Sequence, residues 1–145
     1  MSTTSYRSQS EKCIFMAQLA TALGYNENDA HAKTVLRAFC QTIRERIAPI
    51  ASNVLIAHLP VPIQQIYLAD WNGKCSKNFN YEEFITALYS VKGSEHENVF
   101  ASKKEVEGSV LVIFDFIKKL LSDNHYNDMM SFMPISLRMN LVSEF

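Results

Sequence analysis

The sequence predicts an all-α protein, a helical bundle of two similar four-helix repeats packed into one domain. Three observations carry that prediction. Apolar residues recur at helical spacing along most of the chain, proline and glycine interrupt them at intervals of helix length, and the whole pattern returns once. The chain has 145 residues, enough for one domain with a buried core, and 48% hydrophobic with 20% charged side chains is a globular balance.

Residues 1–10 read as a flexible polar tail, and 11–145 as a single all-helical domain. Over residues 11–23, Ile14, Phe15, Leu19, Ala22 and Leu23 share one helical face, and Gly24 stands where a left-handed residue stops a helix. Asn26 with Asp29 resembles an N-terminal cap, the acid lying at the positive end of the macrodipole. The helix that follows, to about residue 47, buries Val35, Leu36, Phe39, Cys40, Ile43 and Ile47. Its other face leaves Arg37, Gln41, Arg44 and Glu45 largely in water. Pro49 cannot continue that helix but suits the first turn of another, over residues 49–58, with Ile50, Val54 and Leu55 inward. Leu59-Pro60 breaks the chain again. Pro60 or Pro62 then opens a fourth helix through Ile63, Ile66 and Tyr67 to about Trp71.

Residues 72–79 form the linker between repeats. Asn80 and Glu83 make an Asn version of the capping box, opening a helix with Phe84, Ile85 and Leu88 inward and Gly93 as its stop. Residues 94–101 read as a polar, acidic loop. Ser102 and Glu105 cap a long helix to about residue 121. Its segment VLVIFDF (110–116) is β-branched enough for a strand, yet the cap, the length and the repeat register favour a helix. A short helix over 124–133 and a last one opened by Pro134 complete the order.

The repeat sets residues 11–71 against 80–145. A shift of 69 lays Phe15 on Phe84, Leu19 on Leu88 and Gly24 on Gly93. Beyond a longer second loop the shift becomes 74. It lays Leu36 on Val110, Phe39 on Ile113, Cys40 on Phe114, Leu59-Pro60 on Met133-Pro134, and Asp70-Trp71 on Glu144-Phe145. Two units of this size would each be marginal alone, which argues for one cooperative domain. The halves also differ, since Ala38, Thr42 and Arg46 correspond to Val112, Phe116 and Leu120. The second long helix is therefore apolar nearly all round, so it is either central or covered by a partner.

The run Val35-Leu36-Arg37-Ala38-Phe39, then Ile43 to Ile47, His58-Leu59-Pro60, Ile66-Tyr67, Asp70-Trp71 and Phe84 resembles a bacterial family of all-helical proteins, domain-of-unknown-function family 2267. The similarity runs from about residue 12 to 145. It implies a small helical protein with two similar halves, a bacterial cytoplasmic setting and no assigned activity, so no catalytic set carries over. Gln64 and Gln65 stand where the family commonly has an arginine, Pro62 is an extra proline, and the family's long charged C-terminal stretch is reduced.

Chemistry-bearing residues are sparse. Fourteen basic against fifteen acidic side chains leave a net charge of −1, which gives no cationic surface for nucleic acid or anionic membrane. The opening MSTTSYRSQSEK lacks a signal peptide's apolar core, and no apolar run reaches membrane-spanning length, so a cytoplasmic protein is expected. His31, His58, His96 and His125 are scattered and no CxxC or HExxH occurs, so no metal and no cofactor are expected. The acidic loop Glu95-His96-Glu97 is the one weak cation candidate. Of the cysteines, Cys40 belongs to the core stripe, and Cys13 lies early in the first helix. Cys75, beside Lys74 and Lys77, is the most reactive candidate, although an incidental loop cysteine is the commoner case. No phosphate-binding glycine motif exists, and a helix-turn-helix over 124–142 has only Arg138 as a cation.

Two functional expectations follow. The leading one is a non-enzymatic interaction module with no catalytic residues, self-associating through Val112, Phe116 and Leu120. In it, Arg37, Arg44 and Arg46 either face solvent with Glu45 or meet an acidic partner. The alternative is a small-ligand-binding protein or unrecognised enzyme with a pocket between the halves, lined by Tyr67, Trp71 and Met or Phe residues.

Overall fold

The computed structural model describes residues 15–25, 29–47, 49–71, 79–93, 95–131 and 133–143. The tail, Cys13, Ile14, Asn26, residues 72–78 of the linker with Cys75, and the Glu144-Phe145 pair lie outside them. The described residues form eight helical segments and no strand: α1 (15–23), α2 (Asp29–Arg44), α3 (Pro49–His58), α4 (Val61–Leu68), α5 (Tyr81–Tyr89), α6 (Lys103–Leu120), α7 (Asp123–Ser131) and α8 (Ile135–Ser143). A single antiparallel bridge, Lys92 to Asn98, is the only extended pairing among them. The chain is all-helical, and residues 110–116 lie inside α6 despite their β-branched side chains.

The helix ends follow local chemistry. Gly24 adopts φ 85°, and the Gly24 and Tyr25 N–H groups donate to the Thr21 and Ala20 carbonyls at 3.1 and 2.9 Å. Those two bonds satisfy the last carbonyls of α1 in a Schellman arrangement. Asn80 Oδ1 accepts the Glu83 N–H at 2.8 Å, and Ser102 Oγ accepts the Glu105 N–H at 3.2 Å. The Glu105 carboxylate reaches back to the Ala101 N–H at 3.1 Å, one residue ahead of the cap. Gly93 corrects its expected role. Helix α5 ends at Tyr89 with Ser90 as a right-handed cap, and Gly93 lies four residues on, in the loop.

At the centre, α2 packs on α4, α5 and α6, while α5 also packs on α6 and α8, and α3 and α6 both pack on α7. Phe39 meets the rings of Phe84 and Phe114 edge-on at 6.0 and 5.5 Å, tying α2 to α5 and α6. One apolar cluster draws residues from all eight helical segments. The predicted α2 stripe is buried throughout.

Other inward assignments need correction. Ile50 and Ala22 are exposed, whereas Val54 and Leu23 are half-buried and pack against the core. The 94–101 loop is polar only in part, because Val99 and Phe100 are buried. On α6, Val112 and Phe116 pack against the core, Phe116 edge-on to Phe15 at 5.6 Å, and Leu120 is left partly exposed. No described helix is long and apolar enough to cross a membrane.

Candidate functional site

Arg44, the last residue of α2, is only 4% exposed, which corrects its expected place in water. Its Nη1 donates to the carbonyls of Tyr67 and Ala69, both at 2.7 Å. These are among the final carbonyls of α4, where the macrodipole is negative, so the guanidinium caps that helix with charge-assisted bonds. The same group lies 5.9 Å from the centre of the Trp71 ring, which stands edge-on to Tyr67 at 5.7 Å. Beneath it, Tyr67 Oη and Ser52 Oγ are 2.6 Å apart in a buried hydrogen bond. The cluster is committed to holding α4 on α2. Trp71 lies three residues beyond the end of α4, its N–H donating to the Leu68 carbonyl at 3.2 Å.

Of the expected pocket between the halves, Tyr67 and several Phe residues do line a common space, but Trp71 is not among its walls. Helices α1, α2, α3, α4 and α6 enclose it, an apolar cavity of about 20 Å³ lined in part by Tyr67, Phe39 and Phe116. Such a space holds about one water, and an apolar lining keeps it dry.

A larger opening of about 230 Å³ lies between α2 and residues 91–99. Thr34, Arg37, Ala38 and Gln41, spaced three or four residues apart, form the helical wall, and Val91, Lys92, Gly93, Glu97 and Val99 form the other. The loop is held by bonds from Gly93 N–H to the Glu97 carbonyl (2.8 Å) and from His96 N–H to the Gly93 carbonyl (3.0 Å). Lys92 Nζ bonds to Asn98 Oδ1, and Glu97 Oε2 accepts the Glu95 N–H at 2.9 Å. A Cβ on Gly93 would meet the Glu97 carboxylate, the end of a flexible side chain that lies over this glycine. Arg37 is exposed and forms no hydrogen bond or ion pair with a described residue. Periodicity placed Arg37 and Gln41 on this face, but nothing in the sequence joined them to residues fifty positions away.

The remaining candidates divide. His58 and His125 stack face to face across the α3–α7 contact, centroids 3.7 Å apart, with His125 Nδ1 2.9 Å from Ser122 Oγ. Spacing gave no hint of that pairing. His31 stands edge-on to Tyr25 at 4.4 Å, and His96 sits exposed in the loop. No group of three or more His, Cys, Asp or Glu side chains could hold a metal among the described residues. Cys40 is buried, and desolvation pushes its thiol up to about 12 against the smaller opposing influence of Arg44, so it stays protonated and unreactive at neutral pH. Of the other basic residues, Arg46 is half-buried, its Nη1 donating to the Thr42 carbonyl at 2.8 Å and lying 3.8 Å from the exposed Glu45 carboxylate.

No curated protein matches the chain. The sequence pattern of the family described as "Uncharacterized conserved protein (DUF2267)" matches residues 14–139, a span that takes in both halves, the Arg44 cluster and the cleft. The chain belongs to the DUF2267 family.

Proposed function

We propose that the protein is a non-enzymatic helical interaction module, built of two equivalent four-helix repeats in one cooperative domain, which self-associates through its second half. The observation that carries this reading is on α8. Ile135 and Met139, one turn apart, are 69% and 65% exposed, while Leu137 and Leu141 of the same helix fill the core. A helix with apolar residues on both faces has a use for the outer one, and burying two large side chains favours association. Val61, 74 positions before Ile135, is also exposed, as are Ile50 and Leu68.

Helix starts support the duplication. Helices α2, α3 and α4 begin at Asp29, Pro49 and Val61, and 74 residues on, α6, α7 and α8 begin at Lys103, Asp123 and Ile135. The partner in this reading is a second copy of the chain, with no nucleic acid, membrane or cofactor involved, in the bacterial cytoplasm.

The reading moves the self-association surface away from Val112 and Phe116, which pack against the core, to Ile135 and Met139 on α8. Light scattering across a concentration series tests it. The wild type is expected to approach twice the chain mass, and the double variant Ile135→Glu, Met139→Glu to stay monomeric with unchanged helicity. A wild type that stays monomeric at the highest concentration overturns the reading.

A further inference from the structure

We propose that the cleft between α2 and the 91–99 loop is a binding site for a small organic carboxylate with a short apolar stem. The proposal is independent of self-association, since none of its residues lies on α8. Its first support is charge left uncompensated. Arg37 presents a planar guanidinium that no described side chain pairs, and among the described residues the ammonium of Lys92 meets only the neutral Asn98 amide oxygen. The one carboxylate in the lining, Glu97, lies over Gly93 and accepts the Glu95 N–H, so it is engaged by its own loop.

Two cations and one carboxylate leave the lining one positive charge, which matches a monoanion. A phosphate dianion would carry excess charge beside Glu97. A guanidinium takes a carboxylate through two parallel hydrogen bonds, and Lys92 adds a point charge. The half-buried amide of Gln41, one turn along α2 from Arg37, supplies a further donor, and Ala38, Val91 and Val99 offer an apolar side for the stem.

Size points the same way. At about 230 Å³ the cleft falls below the roughly 300–1,000 Å³ usual for drug-sized ligands, so it suits a fragment-sized acid. The walls are also preorganised, one being a central helix and the other a loop closed by the Lys92–Asn98 bridge.

Titration of the ¹⁵N-labelled full chain, followed by amide NMR, tests the site with three probes: butyrate, inorganic phosphate and N-acetylglutamate methylamide. Butyrate is expected to give saturable shifts at Arg37, Gln41 and residues 92–99 that weaken with added salt. Arg37→Gln and Lys92→Met, both at exposed positions, are expected to keep the wild-type helicity and to lose affinity by about tenfold each. Absence of saturable shifts in the wild type overturns the site, as does unchanged butyrate affinity in both variants. Saturation by phosphate in place of butyrate overturns the carboxylate assignment. Tighter saturation by the acetylglutamate derivative overturns the free acid as the source, in favour of an acidic side chain on a partner.

Discussion

Helices α2 and α6 start 74 residues apart and bury matching stripes, yet they treat their polar rims in opposite ways. On α2, Thr42 is buried with its hydroxyl turned back onto the Ala38 carbonyl at 2.8 Å, and Arg44 is buried under the end of α4. At the matching positions α6 carries Phe116, which packs on Phe15, and Lys118, which is exposed with its Nζ 5.8 Å from the Tyr126 ring centre. The next elements differ accordingly. Helix α4 is docked on α2 by a guanidinium, whereas α8 packs on α5 and Lys118 stays exposed; both helices leave their first residue, Val61 and Ile135, outside. An amphipathic register decides which stripe is inside. Whether the rim beside it is wet depends on which later element lands there and what atoms it brings.

Removing each rim cation is the strongest way to break this comparison. Arg44→Ala strips two charge-assisted hydrogen bonds, one from the buried Tyr67 carbonyl and one from the part-buried Ala69 carbonyl, and opens a space beside Trp71, so it should cost roughly 3–4 kcal/mol. Lys118→Ala removes only an exposed cation–π contact and should cost at most about 0.5 kcal/mol. Urea unfolding of the two variants measures the difference. Equal costs would mean that α4 is held by its apolar face alone.

Arg44 also marks where the sequence stops being legible. Core stripes, the Asn80 and Ser102 caps and the Gly24 stop were readable because each rests on residues within one or two turns. The ligands of Arg44 are backbone carbonyls 23 and 25 residues away, and a carbonyl has no signature in composition. Ile50 fits a helical stripe by spacing, but it lies in the first turn of a helix ten residues long, where one turn more or less changes what is covered. Phe100 is buried beside Val99 in a loop that is otherwise mostly polar, and only the fold supplies its cover. In the cleft, Arg37 was visible as an outer cation of α2, while Lys92 and Glu97 became its neighbours only through the packing of the 91–99 loop.

Gly24 and Gly93, which a sequence shift of 69 lays on each other, sharpen the comparison at smaller scale. Gly24 is needed for its left-handed backbone, with open space where a Cβ would go, so Gly24→Ala should cost about 1 kcal/mol through conformational strain. Gly93→Ala meets the end of the flexible Glu97 side chain, which can swing aside, so its cost should stay within a few tenths of a kcal/mol. Denaturation midpoints that rank Gly93→Ala as the costlier change would show that Glu97 cannot move. That outcome would make its contact with the loop far stiffer than an exposed carboxylate should be.

The smallest expected effect concerns the joint between the halves. Tyr25, just after α1, donates from its phenol to Glu105 Oε1 at 3.1 Å, at the start of α6. Burial raises its pKa above the ordinary value of 10.0, and the Glu105 charge adds to the rise, against an opposing hydrogen bond with Ser109. The folded state therefore favours the neutral phenol. That contribution is complete below the unfolded pKa and is lost as pH climbs from there through the higher folded value. Tyr126, in α7, is raised in the same direction, by burial first and by Asp115 second, so it adds a parallel loss from the second half. Urea midpoints measured from neutral pH upward should fall above about pH 10 in the wild type. In Tyr25→Phe the neutral-pH midpoint should drop slightly through the lost Glu105 bond, and the alkaline fall should become shallower. A further flattening when Tyr126→Phe is added would assign the remainder to the second half. An alkaline slope unchanged by both substitutions would mean that neither phenol is held neutral by the packing between α1, α6 and α7.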